Sequence, residues 1–315
     1  AQRRTMPSSL VLTSAAHPSA AVRARRSFRR PWMTAYAFIS PNLVLFSAFS
    51  FFPLLYAFYI SFHDWSLIGD AEYAGLANYR RLLGDTQFWH ALLNTAAYAL
   101  ASVPTTMAGG LLLAVALNRQ LPGRVFLRSV YFLPVVVSAV ATGIIAAWLF
   151  NEHYGVINSL VVRLGGDRIP WLSSPNWALP SLVLATLWVR VGFCMVVYLA
   201  ALQSIPALYY EAAAMDGASP FRQFRKITLP LLRPATFLLL VLSVIHSFQV
   251  FDLIYVMTGG GPGFSTTMLV QYIYQSAFTT SEMGYASAIG VVLYAIVLGF
   301  TIIQWRMSRQ SENVL

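Results

Sequence analysis

Long apolar runs alternate along the chain with short polar segments. Six runs reach the roughly 20 residues that a helix needs to cross the hydrocarbon core of a bilayer. They lie at residues 34–61, 88–117, 130–150, 179–202, 235–257 and 285–305. None shows the period of two that marks a barrel strand, and a helix satisfies its own backbone hydrogen bonds in lipid. The pattern therefore predicts an all-α, polytopic membrane protein with six transmembrane helices.

Composition and charge agree with a multi-pass protein of the inner (plasma) membrane. Hydrophobic residues make up 57% of the chain and charged residues 10%, against about 25% charged residues in a soluble domain. With the N-terminus inside, 16 of the 21 Lys and Arg residues fall in cytoplasmic segments. Both termini are therefore predicted to be cytoplasmic. The net charge of +10 follows from this topology and from anionic inner-leaflet lipid, so the lipid bilayer is the expected partner and nucleic acid is not.

Three regions are predicted. Residues 1–32, which contain seven Arg residues but no apolar periodic stretch, form a cytoplasmic and disordered tail. Residues 33–306 form the transmembrane domain, and residues 307–315 form a cytoplasmic C-terminal tail. The single cysteine, Cys194, lies within a span, which excludes disulfides and cysteine metal sites. The single lysine, Lys226, follows Arg225 rather than the glycine of a phosphate-binding loop. We therefore predict no catalytic residue, metal or cofactor, and no ATPase site in this chain.

The polar segment 203–234 separates the fourth and fifth spans. Its residues 211–215 favour a helix, and Asp216-Gly217 is a turn dipeptide. Ser219-Pro220 is a good N-cap followed by proline at the first helical position, so a second short helix is predicted from there to about residue 228. Pro230 is predicted to stop that helix. The result is a helix-turn-helix that projects from the membrane. The alternative is an interfacial helix whose basic residues touch lipid headgroups.

The spacing within this segment resembles the coupling loop that ABC importer permeases insert into their ATPase partners. Further matching motifs are Gly75-Leu76-x-Asn78-Tyr79, Phe88-Trp89, Asn94-Thr95, Phe132-Leu133-Pro134, Leu202-Gln203-x-Ile205-Pro206, Phe251-Asp252-x-Ile254-Tyr255 and Thr258-Gly259-Gly260-Gly261-Pro262. From about residue 41 to 305, the chain resembles the carbohydrate-type permeases of ABC importers, which include the maltose and glycerol-3-phosphate permeases.

The resemblance implies partners and a coupling role. The implied partners are a second homologous permease, two ATP-binding subunits (or a homodimer of them) and an extracytoplasmic substrate-binding protein. Alternating access is then driven by ATP-dependent closure of the ATPase pair. The residues expected to couple the permease to the ATPase are Glu211, Ala212, Ala213, Asp216, Gly217, Phe221, Arg225, Ile227, Leu229 and Pro230.

A substrate site is predicted at mid-membrane. Ionisable side chains inside a span usually face a cavity or a partner, and Arg190 sits near the centre of the fourth span. The fifth span carries polar side chains at spacings that share one helix face. In the resembling maltose permease, positions just before and just after the coupling loop line the sugar site. The predicted substrate contacts are Thr186, Val189, Arg190, Phe193, Ser243, His246, Ser247 and Val250.

These residues also have structural interpretations. Arg190 could form an ion pair with Asp252 or contact backbone carbonyls of the partner permease. His246 could be a packed, hydrogen-bonded core histidine. Ser243 and Ser247 could serve only close helix packing, as small residues do in membranes.

The buried guanidinium favours a particular solute class. Arg offers forked, charge-assisted donors that suit a phosphate, whereas a neutral sugar needs hydroxyl partners and aromatic stacking. We therefore expect glycerol-3-phosphate or a glycerophosphodiester, with a neutral mono- or disaccharide as the alternative. A different class of function is a proton-coupled secondary transporter that uses Arg190, His246 and Asp252 as a relay. A third is a passive scaffold subunit.

Overall fold

The computed structural model describes residues 31–66 and 68–312. Most of the predicted 1–32 tail, and residues 313–315, lie outside these ranges. The helices are α1 (Pro31–Phe46), α2 (Phe52–Ile60), α3 (Ala77–Gly84), α4 (Thr86–Asn118), α5 (Arg124–Val136), α6 (Ala139–Leu149), α7 (Val156–Arg163), α8 (Pro175–Gln203), α9 (Ala207–Met215), α10 (Pro220–Gln223), α11 (Leu229–Leu231), α12 (Arg233–Phe248), α13 (Asp252–Met257), α14 (Leu269–Tyr274) and α15 (Met283–Glu312). π-helical turns occupy Ser47–Phe51, Phe224–Thr228 and Gln275–Thr279. Strand His63–Asp64 pairs antiparallel with strand Glu72–Tyr73.

The all-α, polytopic prediction is confirmed. Four helices are long and apolar enough to cross a membrane: Ala35–Ile60, α4, α8 and Met283–Met307. Two bent pairs, α5 with α6 and residues 220–231 with α12, raise the number of spans to six if each pair is one span. The final helix continues to Glu312, beyond the boundary predicted at residue 306.

The described part of the chain divides into two compact units, one up to residue 52 and one from residue 53 onward. In the first unit, α1 contains Pro41 and continues through the first π-helical turn. Its described side chains are all exposed and mostly apolar. Such a surface is suited to contact with acyl chains.

The core of the second unit is built on α8, which packs against both α4 and α5. Two glycines permit the close approach of these helices. A Cβ atom added to Gly110 would lie 2.4 Å from Cys194 Cβ, and one added to Gly192 would lie 2.0 Å from the Tyr131 carbonyl oxygen. Small residues at helix crossings are typical of membrane proteins, where packing rather than the hydrophobic effect holds helices together.

Gly192→Val is expected to destabilise the permease, because the added side chain would overlap backbone atoms of α5. Overpacking of this kind costs about 1–3 kcal/mol or more. Thermal unfolding of the purified chain in nanodiscs should show a lower midpoint for this variant. Gly290→Val is the matched control, since Gly290 lies within α15 and has nothing within 4 Å of its added Cβ. Equal midpoints for the two variants would contradict the close α5–α8 packing.

Polar contacts gather at the end of the second unit where α4 begins. Asp85 caps α4 by accepting from the Gln87 N–H at 2.9 Å, and its Oδ2 atom also accepts from the hydroxyls of Tyr272 and Tyr285. Arg81 donates to both carboxylate oxygens of Glu282, at 2.7 and 3.0 Å. This contact holds the pKa of Glu282 below its usual value. Burial raises the pKa of Asp85, but the hydrogen bonds from the two hydroxyls and from backbone N–H groups together outweigh it, so the net shift is downward. The cluster ties together α3, α4, α14 and α15.

The motif Gly75-Leu76-x-Asn78-Tyr79 has a structural explanation at the same end. The Asn78 carboxamide donates to the carbonyl oxygens of Ser61 and His63, at 3.0 and 2.9 Å. The Tyr79 hydroxyl lies 2.7 Å from the Ser61 hydroxyl. These bonds hold α3 against residues 61–63, which follow α2.

Two of the predicted spans are not single helices. The prediction of one helix over residues 130–150 is wrong, because Val137 and Ser138 adopt non-helical conformations and α5 and α6 meet at 105°. The prediction of one helix over residues 235–257 is also wrong. In that span α12 ends at Phe248, and α13 begins only at Asp252. Val250 therefore does not share a helix face with Ser243, since it lies in the break between these helices.

The helix predicted to stop at Pro230 continues instead. The Leu229 N–H bonds to the Phe224 carbonyl, five residues back, which forms a π-helical turn. This wider turn makes room just where the proline ring would otherwise meet the carbonyl four residues earlier. The bend of 63° comes later, between α11 and α12.

Candidate substrate cavity and coupling segment

The two helix breaks open onto one cavity of about 180 Å³. Its walls come from α4, α8, the α5–α6 break and the α12–α13 break. Arg190 lines it from near the midpoint of α8, which runs from residue 175 to 203. The cavity therefore lies at the depth predicted for the substrate site.

The structure brings most of the predicted contacts to this region. Thr186, Val189, Arg190, His246 and Val250 line the cavity. Ser243 and Ser247 are buried and line an adjoining pocket that Arg190 and His246 share. The ring centroid of Phe193 lies 5.2 Å from the Arg190 guanidinium carbon.

Arg190 has no carboxylate partner within the described ranges. The one ion pair found there joins Arg81 to Glu282, so the alternative in which Arg190 pairs with Asp252 is not observed. Asp252 is instead an exposed first residue of α13 that lines the same cavity. The guanidinium is left against the face of Phe193 with its donors directed to no side-chain acceptor in that part of the chain.

His246 is exposed at the cavity, so it is not packed in the core of this chain. By contrast, Thr186 is already engaged. Its hydroxyl donates to the Leu182 carbonyl at 2.8 Å and lies 2.7 Å from the Tyr98 hydroxyl. We infer that Thr186 mainly positions Tyr98, because its hydroxyl proton is already donated and is not available to a solute.

Tyr98 and Gln249 are among the lining residues that sequence reasoning missed. Gln249 lies three residues after His246, and this spacing was a signal that could have found it. Tyr98 is a polar side chain inside an apolar run, but the sequence does not show that α4 faces α8 at this depth.

The coupling segment lies at the other end of the second unit. A groove there is lined by Asn118, from the end of α4, together with Pro220 and Gln223 of α10. Because α4 has 33 residues, this end is about 50 Å from the Asp85 cluster.

The first helix, the turn and the start of the second helix of the predicted helix-turn-helix are present. The predicted turn at Asp216-Gly217 follows α9, and Gly217 has φ +74°. The Ser219 hydroxyl accepts from the Arg222 N–H at 3.4 Å, and Pro220 is the first residue of α10. The Tyr210 hydroxyl lies 2.9 Å from the Thr228 hydroxyl, which joins the two arms.

Most of the predicted coupling residues are available to a partner. Seven of them are exposed: Glu211, Ala212, Asp216, Gly217, Phe221, Arg225 and Leu229. Ala213, Ile227 and Pro230 are partly buried. Phe221 is 72% exposed, and a bare aromatic ring among basic residues is a feature of contact surfaces.

Comparison with known proteins assigns the family. Residues 106–310 match the family described as "Binding-protein-dependent transport system inner membrane component". The chain is 37% identical over 282 residues to the sulfoquinovosyl glycerol transport system permease protein SmoG of Agrobacterium fabrum, covering 89% of this chain and 92% of that protein. It is 36% identical over 275 residues to the trehalose/maltose transport system permease protein MalF of Thermococcus litoralis, covering 87% and 93%.

The fold agrees with this assignment. A chain in the crystal structure of a bacterial ABC transporter that imports the acidic polysaccharide alginate superposes with a TM-score of 0.78 and 26% identity, over 89% of this chain and 96% of that one. The residues that match the family, 106–310, contain the coupling segment and every cavity-lining residue except Tyr98. The chain therefore belongs to the family of binding-protein-dependent transport system inner membrane components, as an ABC importer permease of the carbohydrate type.

Proposed function

We propose that this permease imports a small polyol or sugar that carries an anionic group. Glycerol-3-phosphate and the glycerophosphodiesters are the simplest solutes of this class. The observation that carries the proposal is Arg190, a guanidinium at mid-span that lines the cavity and has no carboxylate partner in the described ranges.

The energetics favour an anionic ligand. A charged side chain at the centre of a span costs roughly 2.5–3.5 kcal/mol on insertion scales, and such residues mark substrate pathways. A phosphate, sulfonate or carboxylate would accept the forked donors of Arg190, in bonds about twice as strong as neutral ones. His246 and Gln249, both exposed at the same cavity, offer partners for solute hydroxyls.

The relatives are consistent with this class. One is named for sulfoquinovosyl glycerol, a glycerol-linked sugar bearing a sulfo group, and the transporter of similar structure imports an acidic polysaccharide. A neutral mono- or disaccharide is the second candidate, because the Thermococcus relative is named for trehalose and maltose. Membership of the family argues against a proton-coupled secondary transporter.

The assembly proposed for import has five chains. They are this permease, a second homologous permease, two ATP-binding subunits and an extracytoplasmic binding protein. The exposed coupling residues are proposed to dock on the ATP-binding subunits at the cytoplasmic side, and both termini are proposed to lie on that side as well. Support for the binding protein comes from the alginate transporter, crystallised with a periplasmic protein that carries an alginate pentasaccharide.

The test is solute-stimulated ATP hydrolysis by the purified complex. Glycerol-3-phosphate, glycerophosphodiesters, sugar phosphates and neutral sugars are each delivered by the binding protein. We expect the anionic compounds to stimulate hydrolysis most strongly. Stimulation by neutral sugars alone would overturn the anionic assignment and support the second candidate.

A further inference from the structure

Four aromatic rings form a continuous ladder beside the cavity. Phe251 lies 5.2 Å from both Tyr255 and Tyr274, and Tyr255 lies 5.7 Å from Tyr274, measured between ring centroids. Tyr274 lies 5.2 Å from Phe278. We call these four residues the aromatic ladder.

The ladder leads from the cavity towards the end of the unit opposite the coupling segment. Phe251 is itself part of the cavity wall. At the far end, Phe278 precedes by four residues Glu282, which pairs with Arg81 in the cluster at the start of α4. The ladder thus joins the cavity to the side from which a binding protein would deliver solute.

The rings of the ladder are open to solvent or a partner. Tyr255 is 49% exposed and Phe278 60% exposed. Three polar residues at the cavity end, His246, Gln249 and Asp252, are exposed beside them. A carboxylate at this depth does not face acyl chains, because its transfer into lipid is too costly. The cavity end of the ladder therefore borders an aqueous space or a partner subunit and not the lipid.

We propose that the aromatic ladder binds sugar rings on their way from the outer face to the cavity. The face of an aromatic ring carries negative charge density, so it attracts the weakly positive C–H face of a pyranose while the sugar hydroxyls stay hydrated. This inference rests on the proposed import function and narrows it. The solute carries at least one sugar ring in addition to its anionic group, which excludes glycerol-3-phosphate itself as the main cargo.

Two other roles are known for exposed aromatic residues, and an experiment can distinguish both of them from sugar binding. Exposed Tyr and Phe residues also occur as belts at the membrane interface. They could equally contact the second permease. Neither of these roles requires a sugar to touch the rings.

Saturation-transfer NMR tests the contact directly, on the complete complex in nanodiscs with maltotriose as the probe. Saturating the aromatic protons should transfer magnetisation to the sugar. We expect this transfer to fall in the double variant Tyr255→Leu/Phe278→Leu and to return with Tyr255→Phe/Phe278→Tyr. Tyr294→Leu is the matched control, because Tyr294 in α15 is 50% exposed but lies outside the ladder.

Uptake kinetics in proteoliposomes supply the second readout. For a transported ring-bearing solute, each ladder substitution should raise KM roughly two- to tenfold, and glycerol-3-phosphate should be unaffected. Unchanged magnetisation transfer in the double variant would overturn the proposal that the ladder binds sugar. Loss of the second permease from the double variant, but not from the Tyr294→Leu control, would overturn it as well. A different result would be magnetisation transfer that depends on the ladder in a complex that takes up no solute. That result would overturn the proposed import function but would support the ladder as a sugar-binding site.

Discussion

Gly217→Val is expected to lower ATP-driven uptake at least tenfold in the reconstituted complex. Gly217 has φ +74°, a conformation that costs an L-residue roughly 1–2 kcal/mol and a β-branched residue more. Nothing lies within 4 Å of an added Cβ, so the effect comes from the backbone and not from a steric clash. The turn between α9 and α10 would reorganise, and the two arms would no longer meet the ATP-binding subunits in register.

Two controls isolate this effect. Gly217→Asn should keep most of the uptake, because asparagine tolerates the left-handed region. Gly165→Val introduces the same strain at φ +86° in a loop before α8, also with nothing within 4 Å, but far from the coupling segment. It should leave coupling intact. Full uptake by Gly217→Val, with the complex assembled, would support a passive scaffold and reject the coupling role.

Arg190→Ala is expected to reduce uptake of an anionic solute by about 10- to 100-fold, measured as kcat/KM. The loss corresponds to hydrogen bonds to a charged group, which contribute roughly 1.5–3 kcal/mol. A neutral sugar should lose no more than about threefold, since it forms no charge-assisted bond with Arg190.

Arg190→Lys separates charge from geometry. Lysine keeps the positive charge but lacks the planar fork, so we expect uptake of the anion between that of the parent and that of Arg190→Ala. Equal losses for anionic and neutral solutes in Arg190→Ala would show that Arg190 holds the structure together and does not bind solute.

The sequence was sufficient for four of the six spans and for the coupling turn, because each leaves a local signal. Apolar runs of span length mark the helices, and Gly217, Ser219 and Pro220 mark the turn through their backbone preferences. Arg190 and His246 stood out as costly residues inside spans. These signals required no knowledge of which helices touch.

The helix breaks left no comparable signal. Residues 137–138 and 249–251 interrupt helices within otherwise apolar stretches, and a single polar residue in each break does not mark the end of a span. Val250 was assigned to a helix face for this reason. The ladder is also non-local, because the chain passes through the 258–268 loop between Tyr255 and Tyr274. Proximity of that kind follows from packing and not from periodicity.

The central claim is that an anionic solute binds beside Arg190 in the cavity between the two helix breaks. The most direct measurement is the structure of the complete assembly, with its binding protein and a solute that stimulates ATP hydrolysis, trapped before release. We predict the anionic group of the solute within hydrogen-bonding distance of the Arg190 guanidinium, flanked by His246 and Gln249. A solute bound elsewhere, with Arg190 paired to a carboxylate of the second permease, would contradict the account.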